Sequence, residues 1–393
     1  MQKFFTVILM LSLGLNAYFL FKINTNKTAF QSALPSKSEN LNKSNITNFE
    51  RSDTDKKISQ EHLDEAVRKA EDAVLQQQVI NAVIAPQAMS VDELFTLLQT
   101  LQSRQKYADL KLPLREYLKL YPNDYKAWLI EADFILHTEP LSSAIVFYYD
   151  LLEKMLPEEE ENKVTRIIKL NTSKAIQQLI RDTAWDLLAT FIEPLLQIDP
   201  LNRQYIMGLA KAYGKQGQVT LMENALAALP YDDARAQQLR KSIYSPTAAD
   251  IADEVQNDVT ETASLSKRKV PVLGNGQQFF VRTKIDRYSQ LLLLDTGAST
   301  TAISHRVFIQ LPESDKEFVG RFTVQTAGGN IEAPLFKLTA ITVGDITINN
   351  VSVIVLPDES FSGTFQGLLG MNVLKNFDFR FDPEKQKMTL FER

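Results

Sequence analysis

The sequence predicts a multidomain chain in which an all-α helical-hairpin domain precedes an all-β barrel or sandwich. Two changes of period and one change of composition carry that reading. Apolar residues recur at helical spacing over residues 58–244, whereas from residue 270 the period drops to two. Between them, residues 245–269 pass from Ser-Pro-Thr through scattered acids to Lys267-Arg268-Lys269, the composition of a linker. At 393 residues the chain has room for two or three domains, each with its own core.

Composition removes several classes of chemistry. A net charge of −5 argues against a nucleic-acid partner. The chain has no cysteine, so disulfides, thiolate metal sites and cysteine nucleophiles are excluded. Its three histidines, His62, His137 and His305, are scattered and none sits in a metal-ligand motif. Neither a metal site nor a Ser-His-Asp triad has material to work with.

Taken in order, residues 4–21 form an uncharged apolar run between Lys3 and Lys22, just long enough to span a thin hydrocarbon core as a helix. A cleaved secretory signal is the alternative, but Tyr18-Phe19-Leu20-Phe21 continues apolar up to the lysine and offers no small-residue cleavage site. Residues 1–23 are therefore expected to be a signal-anchor helix tying the chain to a membrane. The flanking charges are too balanced to fix its orientation. Residues 24–57, rich in Asn, Ser, Thr and Lys, read as a flexible tether.

The helical domain is expected over residues 58–244. Leu63, Val67, Ala70 and Val74 recur at alternating four and three spacing, a pattern that fades at Gln76-Gln77-Gln78. One amphipathic helix packed on its neighbours is expected there. Ser90 ahead of Asp92 and Glu93 is a helix start. Tyr121-Pro122-Asn123-Asp124-Tyr125 and Ile198-Asp199-Pro200-Leu201-Asn202 repeat one punctuation, a helix ending at Pro with Asn or Asp and the next beginning at an aromatic residue. Tyr213-Gly214-Lys215-Gln216-Gly217 reads as the turn inside a hairpin. This punctuation resembles tetratricopeptide-type hairpins, an architecture that holds partners or spaces domains, so a protein partner on the helices is expected.

The β domain is expected over residues 270–393, as dense short strands separated by turns at Asp286-Arg287, Gly344-Asp345 and Asn349-Asn350. Its centre is Leu291-Leu292-Leu293-Leu294-Asp295-Thr296-Gly297-Ala298-Ser299-Thr300. Four leucines read as a strand buried on both faces, and an acid at the end of such a strand is expensive unless it is stabilised or used. Gly297 permits a tight turn, and Ser299 and Thr300 lie close enough to hydrogen-bond Asp295. A second triplet, Asp182-Thr183-Ala184, has helix-like surroundings and neither flank, and no site is read into it. The stretch Leu-Leu-Asp-Thr-Gly-Ala-Ser resembles the active-site loop of single-domain, retropepsin-like aspartic proteases. Gly367-Leu368-Leu369-Gly370 resembles that family's second signature, and the glycine-rich tip Thr326-Ala327-Gly328-Gly329 occupies the position of its flap.

The resemblance implies an all-β retropepsin-like acid protease barrel with Asp295, Thr296 and Gly297 as the catalytic triplet. It also implies Ala298, Ser299 and Thr300 as the supporting loop, and Leu368, Leu369 and Gly370 as the strand beneath it. The chemistry it implies needs two carboxylates and no metal or organic cofactor, and the chain carries one such triplet, so the resemblance implies a homodimer acting on a protein or peptide substrate. Related bacterial proteins and the expected anchor orientation put the chain in a bacterial inner membrane as a single-pass protein with a periplasmic protease domain. The alternative is a non-proteolytic scaffold, with the helices binding a partner and the β domain dimerising or binding peptides.

Overall fold

The computed structural model describes residues 53–245, 269–275, 278–326, 328–361, 365–382 and 387–392. The expected anchor at 1–23, the tether up to residue 52 and nearly all of the 245–269 linker lie outside them. Among the described residues, no helix is long and apolar enough to cross a membrane.

Helix α1 (Asp53–Ile84) starts ahead of the expected residue 58 and runs through Gln76-Gln77-Gln78 without a break. Glutamine is a good helix former, and Gln77 Nε2 donates to Asn81 Oδ1 one turn on at 3.0 Å. The expected stripe is not the packed face, because Ala70 and Val74 are exposed while Leu75 and Ala82 are buried. There follow α2 (Val91–Ser103), α3 (Tyr107–Leu120), α4 (Tyr125–Thr138), α5 (Leu141–Leu152), α6 (Glu158–Arg181), α7 (Trp185–Ile198), α8 (Arg203–Lys215), α9 (Val219–Leu226) and α10 (Ala234–Tyr244).

Polar side chains set several of the helix starts. Ser90 and Glu93 form a reciprocal capping box, Asp124 caps α4 by accepting from Lys126 N, and Asn202 caps α8 by accepting from Gln204 N and Tyr205 N. The repeated Pro/Asn/Asp punctuation is thus a pair of caps. In the Tyr213–Gly217 stretch the structure moves the turn: Tyr213, Gly214 and Lys215 complete α8, and the chain reverses at Gly217, whose φ is +73°.

The β domain contains β1 (Lys269–Asn275), β2 (Gln278–Ile285), β3 (Tyr288–Leu294), β4 (Thr301–Ser304), β5 (Lys316–Thr326), β6 (Gly329–Val343), β7 (Ile346–Leu356), β8 (Gly367–Leu369), β9 (Phe377–Asp382) and β10 (Lys387–Glu392). Short helices α11 (His305–Phe308) and α12 (Met371–Leu374) follow β4 and β8. The strands order as β5-β6-β7-β4-β8-β3-β2-β1-β10-β9, and a further β6–β2 pairing closes six of them into a barrel. The terminal strand is not left for another chain: β10 pairs with β1, Leu390 opposite Val270, and with β9.

Residues 70–393 form one compact unit, and the two folds within it share an interior. Leu141 of α5 and Leu187, Leu188 and Phe191 of α7 join Val319, Phe322, Leu335 and Ile354 of the sheet in one apolar cluster. Phe191 meets Phe322 edge-on with ring centroids 5.7 Å apart. At Gly320 the backbone comes so close that a Cβ there would lie 2.9 Å from Leu141 Cδ2. The sheet's other face closes over a second cluster that includes Leu292, Ile303, Val353 and Leu369.

A charged clamp borders the shared interior. Lys174 Nζ of α6 donates to Phe318 O at 2.7 Å and meets Glu317 at 2.7 Å, and Lys337 pairs with the same carboxylate. The hydrogen bonds from Lys174 and Lys337 hold the Glu317 carboxyl down at about 2, from an ordinary 4.5. A depressed carboxyl contributes stability above its unfolded value and loses it as pH falls through the folded one. Glu317→Gln is therefore expected to flatten the decline in urea midpoint between pH 4.5 and about 2. The effect is small, because Glu317 is half exposed and solvent screens the pair.

Candidate active site

Strand β3 carries the site. It runs antiparallel to β2 and parallel to β8, with Leu293 opposite Leu368 and Leu294 opposite Leu369. The leucines expected to be buried on both faces are buried on one. Leu292 is fully enclosed and Leu294, half-buried, packs on the barrel core, whereas the half-buried Leu291 and Leu293 lie on the alternate face. That open face lies directly before Asp295.

Asp295 leaves the strand half-exposed, with Thr296 and Gly297 exposed beyond it. Its backbone N–H donates to Leu369 O at 3.1 Å, so the acid is anchored to the strand of the second signature. Its Oδ1 accepts from Gly297 N at 2.9 Å, and the turn closes through Ala298 N to Asp295 O at 3.3 Å. The expected hydrogen bonds from Ser299 and Thr300 to the carboxylate are not made. Thr300 is buried and its Oγ1 has no partner, while Ser299 contributes its carbonyl, which accepts from Asn372 N at 3.0 Å. Geometry explains the difference: the chain turns at Gly297, and Thr300 is drawn under the loop against the second signature.

The Gly367–Gly370 stretch forms strand β8 and then enters α12, with Gly370 at the helix start. Met371 N donates to Ala298 O at 2.8 Å, which ties this segment to the Asp295 loop. Gly370 sits so close beneath that a Cβ there would lie 2.5 Å from Thr300 C and 2.7 Å from Thr301 N. At Gly367 a Cβ would lie 2.3 Å from Ala302 O.

Two residues important to the loop carried no assigned role in the sequence. Asn372 Oδ1 accepts from both Thr301 N, at 2.9 Å, and Thr301 Oγ1, at 2.8 Å, and Thr301 Oγ1 accepts in turn from Gly370 N at 3.1 Å. Asn372 and Thr301 are both buried, so every one of these bonds is shielded from water. Their only sequence signal is position, one immediately after the Asp295 loop and the other two residues after Gly370.

The flap-like tip lies at the far end of the β5–β6 hairpin, where Thr326 pairs with Gly329. Thr326 Oγ1 donates to Gly329 O at 2.8 Å and accepts from Gly328 N at 3.2 Å, and Gly329 has φ +110°. Ala327 lies outside the described residues. Among the described residues no hydrogen bond joins this tip to the Asp295 loop, and no cluster of His, Asp and Glu gathers where it could hold a metal ion. The structure thus brings Asp295, Thr296, Gly297, Ala298, Ser299 and Thr300 together with Leu368, Leu369 and Gly370.

Comparison with known proteins bears on this end of the chain. Residues 281–376 match the family described as "gag-polyprotein putative aspartyl protease". That span runs from β2 to the residue before β9 and leaves the helices, β1, β9 and β10 outside it. A solved retropepsin-like aspartic protease from Rickettsia conorii is similar at 24% identity, with a TM-score of 0.26, over 33% of this chain and 96% of that one. No curated protein matches the sequence.

Proposed function

From a C-terminal retropepsin-like aspartyl protease domain preceded by a helical region, we propose that the chain is an aspartic-type endopeptidase whose dyad is built from the Asp295 of two copies. The observation that carries this reading is the presentation of Asp295. It stands half-exposed at the end of a core strand, its backbone held by Leu369 O and its Oδ1 by Gly297 N–H.

One carboxylate per chain is half of the required chemistry. Two brought together across a two-fold axis cannot both ionise, so they share a proton. The ionised one takes a proton from water as that water attacks the peptide carbonyl carbon, and the protonated one donates to the carbonyl oxygen. The exposed Thr296 hydroxyl is free to brace one loop against the other at the axis. The half-buried Leu291 and Leu293 favour a substrate with apolar side chains beside the scissile bond. In this reading Ala327, Gly328 and Gly329 close over bound peptide, residues 4–21 anchor the chain in a bacterial inner membrane, and the protease domain faces the periplasm. Tethering to one membrane raises the effective concentration of protomers.

The test is concentration dependence. The full chain, purified in mild detergent, is incubated with a mixed peptide library across a pH series while its mass is followed by sedimentation. Cleavage per subunit is expected to rise with the dimer fraction and to be blocked by a statine-type peptide, a mimic of the tetrahedral intermediate. A dimer that cleaves nothing at any pH would overturn the peptidase and leave the scaffold reading.

A further inference from the structure

The triplet Asp182-Thr183-Ala184, into which no site is read from sequence, ends helix α6 against the barrel. Asp182 is 6% exposed and Gln178, one turn earlier, is 2% exposed. Buried groups of this kind are costly unless each finds partners, and here each does. Gln178 Nε2 donates to Asp182 Oδ2 at 2.9 Å and to Ser352 Oγ of β7 at 2.8 Å, and its Oε1 accepts from Arg181. Burial pushes the Asp182 carboxyl above its ordinary range, against hydrogen bonds from Ser352 and Gln178 and the charges of Lys375 and Arg181 that pull it down. Lys375, at the end of α12, donates to Arg181 O at 2.6 Å.

Ser352 is where this cluster meets the site. Its side chain faces Gln178 and its carbonyl accepts from Asn372 Nδ2 at 2.8 Å. The Oδ1 of Asn372 accepts from Thr301 N and Thr301 Oγ1, and Thr301 Oγ1 accepts from Gly370 N. Gln178 thus bonds the Ser352 side chain and Asn372 the Ser352 main chain, so this one residue of β7 joins α6 along a buried path to Thr301, the residue that follows the Asp295 loop.

We propose that Gln178, together with Asp182, is a positioning residue for the Asp295 loop: it fixes Ser352, and through Asn372 and Thr301 it sets the backbone on which Asp295 is presented. The role rests on the peptidase reading, but the coupling itself does not. A purely structural contact between the two folds would tie them together anywhere along α6, as Lys174 does with Phe318 and Glu317. Only the Gln178 end of the helix leads into the second signature.

The experiment compares full-length Gln178→Leu with Lys174→Met, two single changes on the same helix. Amide hydrogen exchange is read at Thr301, Met371 and Asn372, whose N–H groups hold the loop, and kcat and KM are measured separately. In Gln178→Leu these amides are expected to exchange about tenfold faster or more, and kcat to fall about tenfold with KM nearly unchanged. In Lys174→Met neither is expected to move, although stability falls. If Gln178→Leu does not fold, Ser352→Ala, which removes one oxygen at the crossing point, is expected to give the same pattern at smaller amplitude. Equal loss of stability in both α6 variants, with loop exchange unchanged in all of them, would overturn the proposal. Should the parent chain cleave nothing, the peptidase reading fails while the exchange comparison still decides the coupling.

Discussion

Asp295→Asn is expected to abolish peptide cleavage while leaving the fold and its unfolding temperature essentially as they are. The substitution keeps the side chain's shape and its acceptor oxygen, so the hydrogen bond from Gly297 N survives and the half-exposed site stays hydrated. It removes the ability to take a proton from water, a contribution of about 10²–10⁴-fold for a positioned acid–base group. In a shared dyad the loss is at the upper end of that range, because both roles fall on one pair. Mixing the variant with the parent sharpens the measurement: heterodimers carry one asparagine, so activity should fall faster than the parent fraction is diluted. Cleavage that persists in Asp295→Asn would place the catalytic group elsewhere.

Gly370→Ala is expected to have, with Gly367→Ala, one of the largest structural effects that a single methyl group could have among the described residues. The added Cβ meets Thr300 C at 2.5 Å and Thr301 N at 2.7 Å, which are backbone atoms and cannot rotate away. Thr301 is held by Asn372, and Asp295 N by Leu369 O, so no neighbour can yield alone. Overpacking of this kind costs about 1–3 kcal/mol in ordinary cores, and a site enclosed by main chain belongs at or above the top of that range. Chemical denaturation should show the midpoint falling, and the residual folded protein should be inactive because the Asp295 loop has been pushed outward. Alanine at Gly328, in the exposed hairpin tip with only Thr326 Oγ1 nearby at 3.8 Å, is the matched control and should cost little.

The local patterns proved the most legible part of the sequence. The switch from helical to alternating period separates α10 from β1 correctly, since it reflects side-chain placement that each element enforces by itself. The Pro/Asn/Asp punctuation and Ser90 mark real helix starts, because a cap is a contact within a few residues. The Gly367–Gly370 stretch is visible for a related reason: glycine is required where backbone passes backbone. What remained hidden is contact between distant segments. Leu291 and Leu293 looked no different from Leu292, and only the barrel's geometry decides which face opens. Thr300 seemed placed to reach Asp295, yet its direction is set by Gly370, many residues downstream. Asp182 was indistinguishable from a helix-end acid until Ser352 arrived beside it.

Gly320 and the leucine seated on it say something about inheritance. A β domain that stood alone could be moved between proteins like a cassette, its surface indifferent to what carried it. Here Phe322, Leu335 and Ile354 face α5 and α7 instead of water. Residues 269–392 grafted onto another carrier would expose an oily flank, and α5 and α7 without them would do the same. The stretch between the two folds is a border only along the chain. Substitutions at Leu141 or Phe191 must be answered at Gly320 or Phe322, so the two folds are bound to change together.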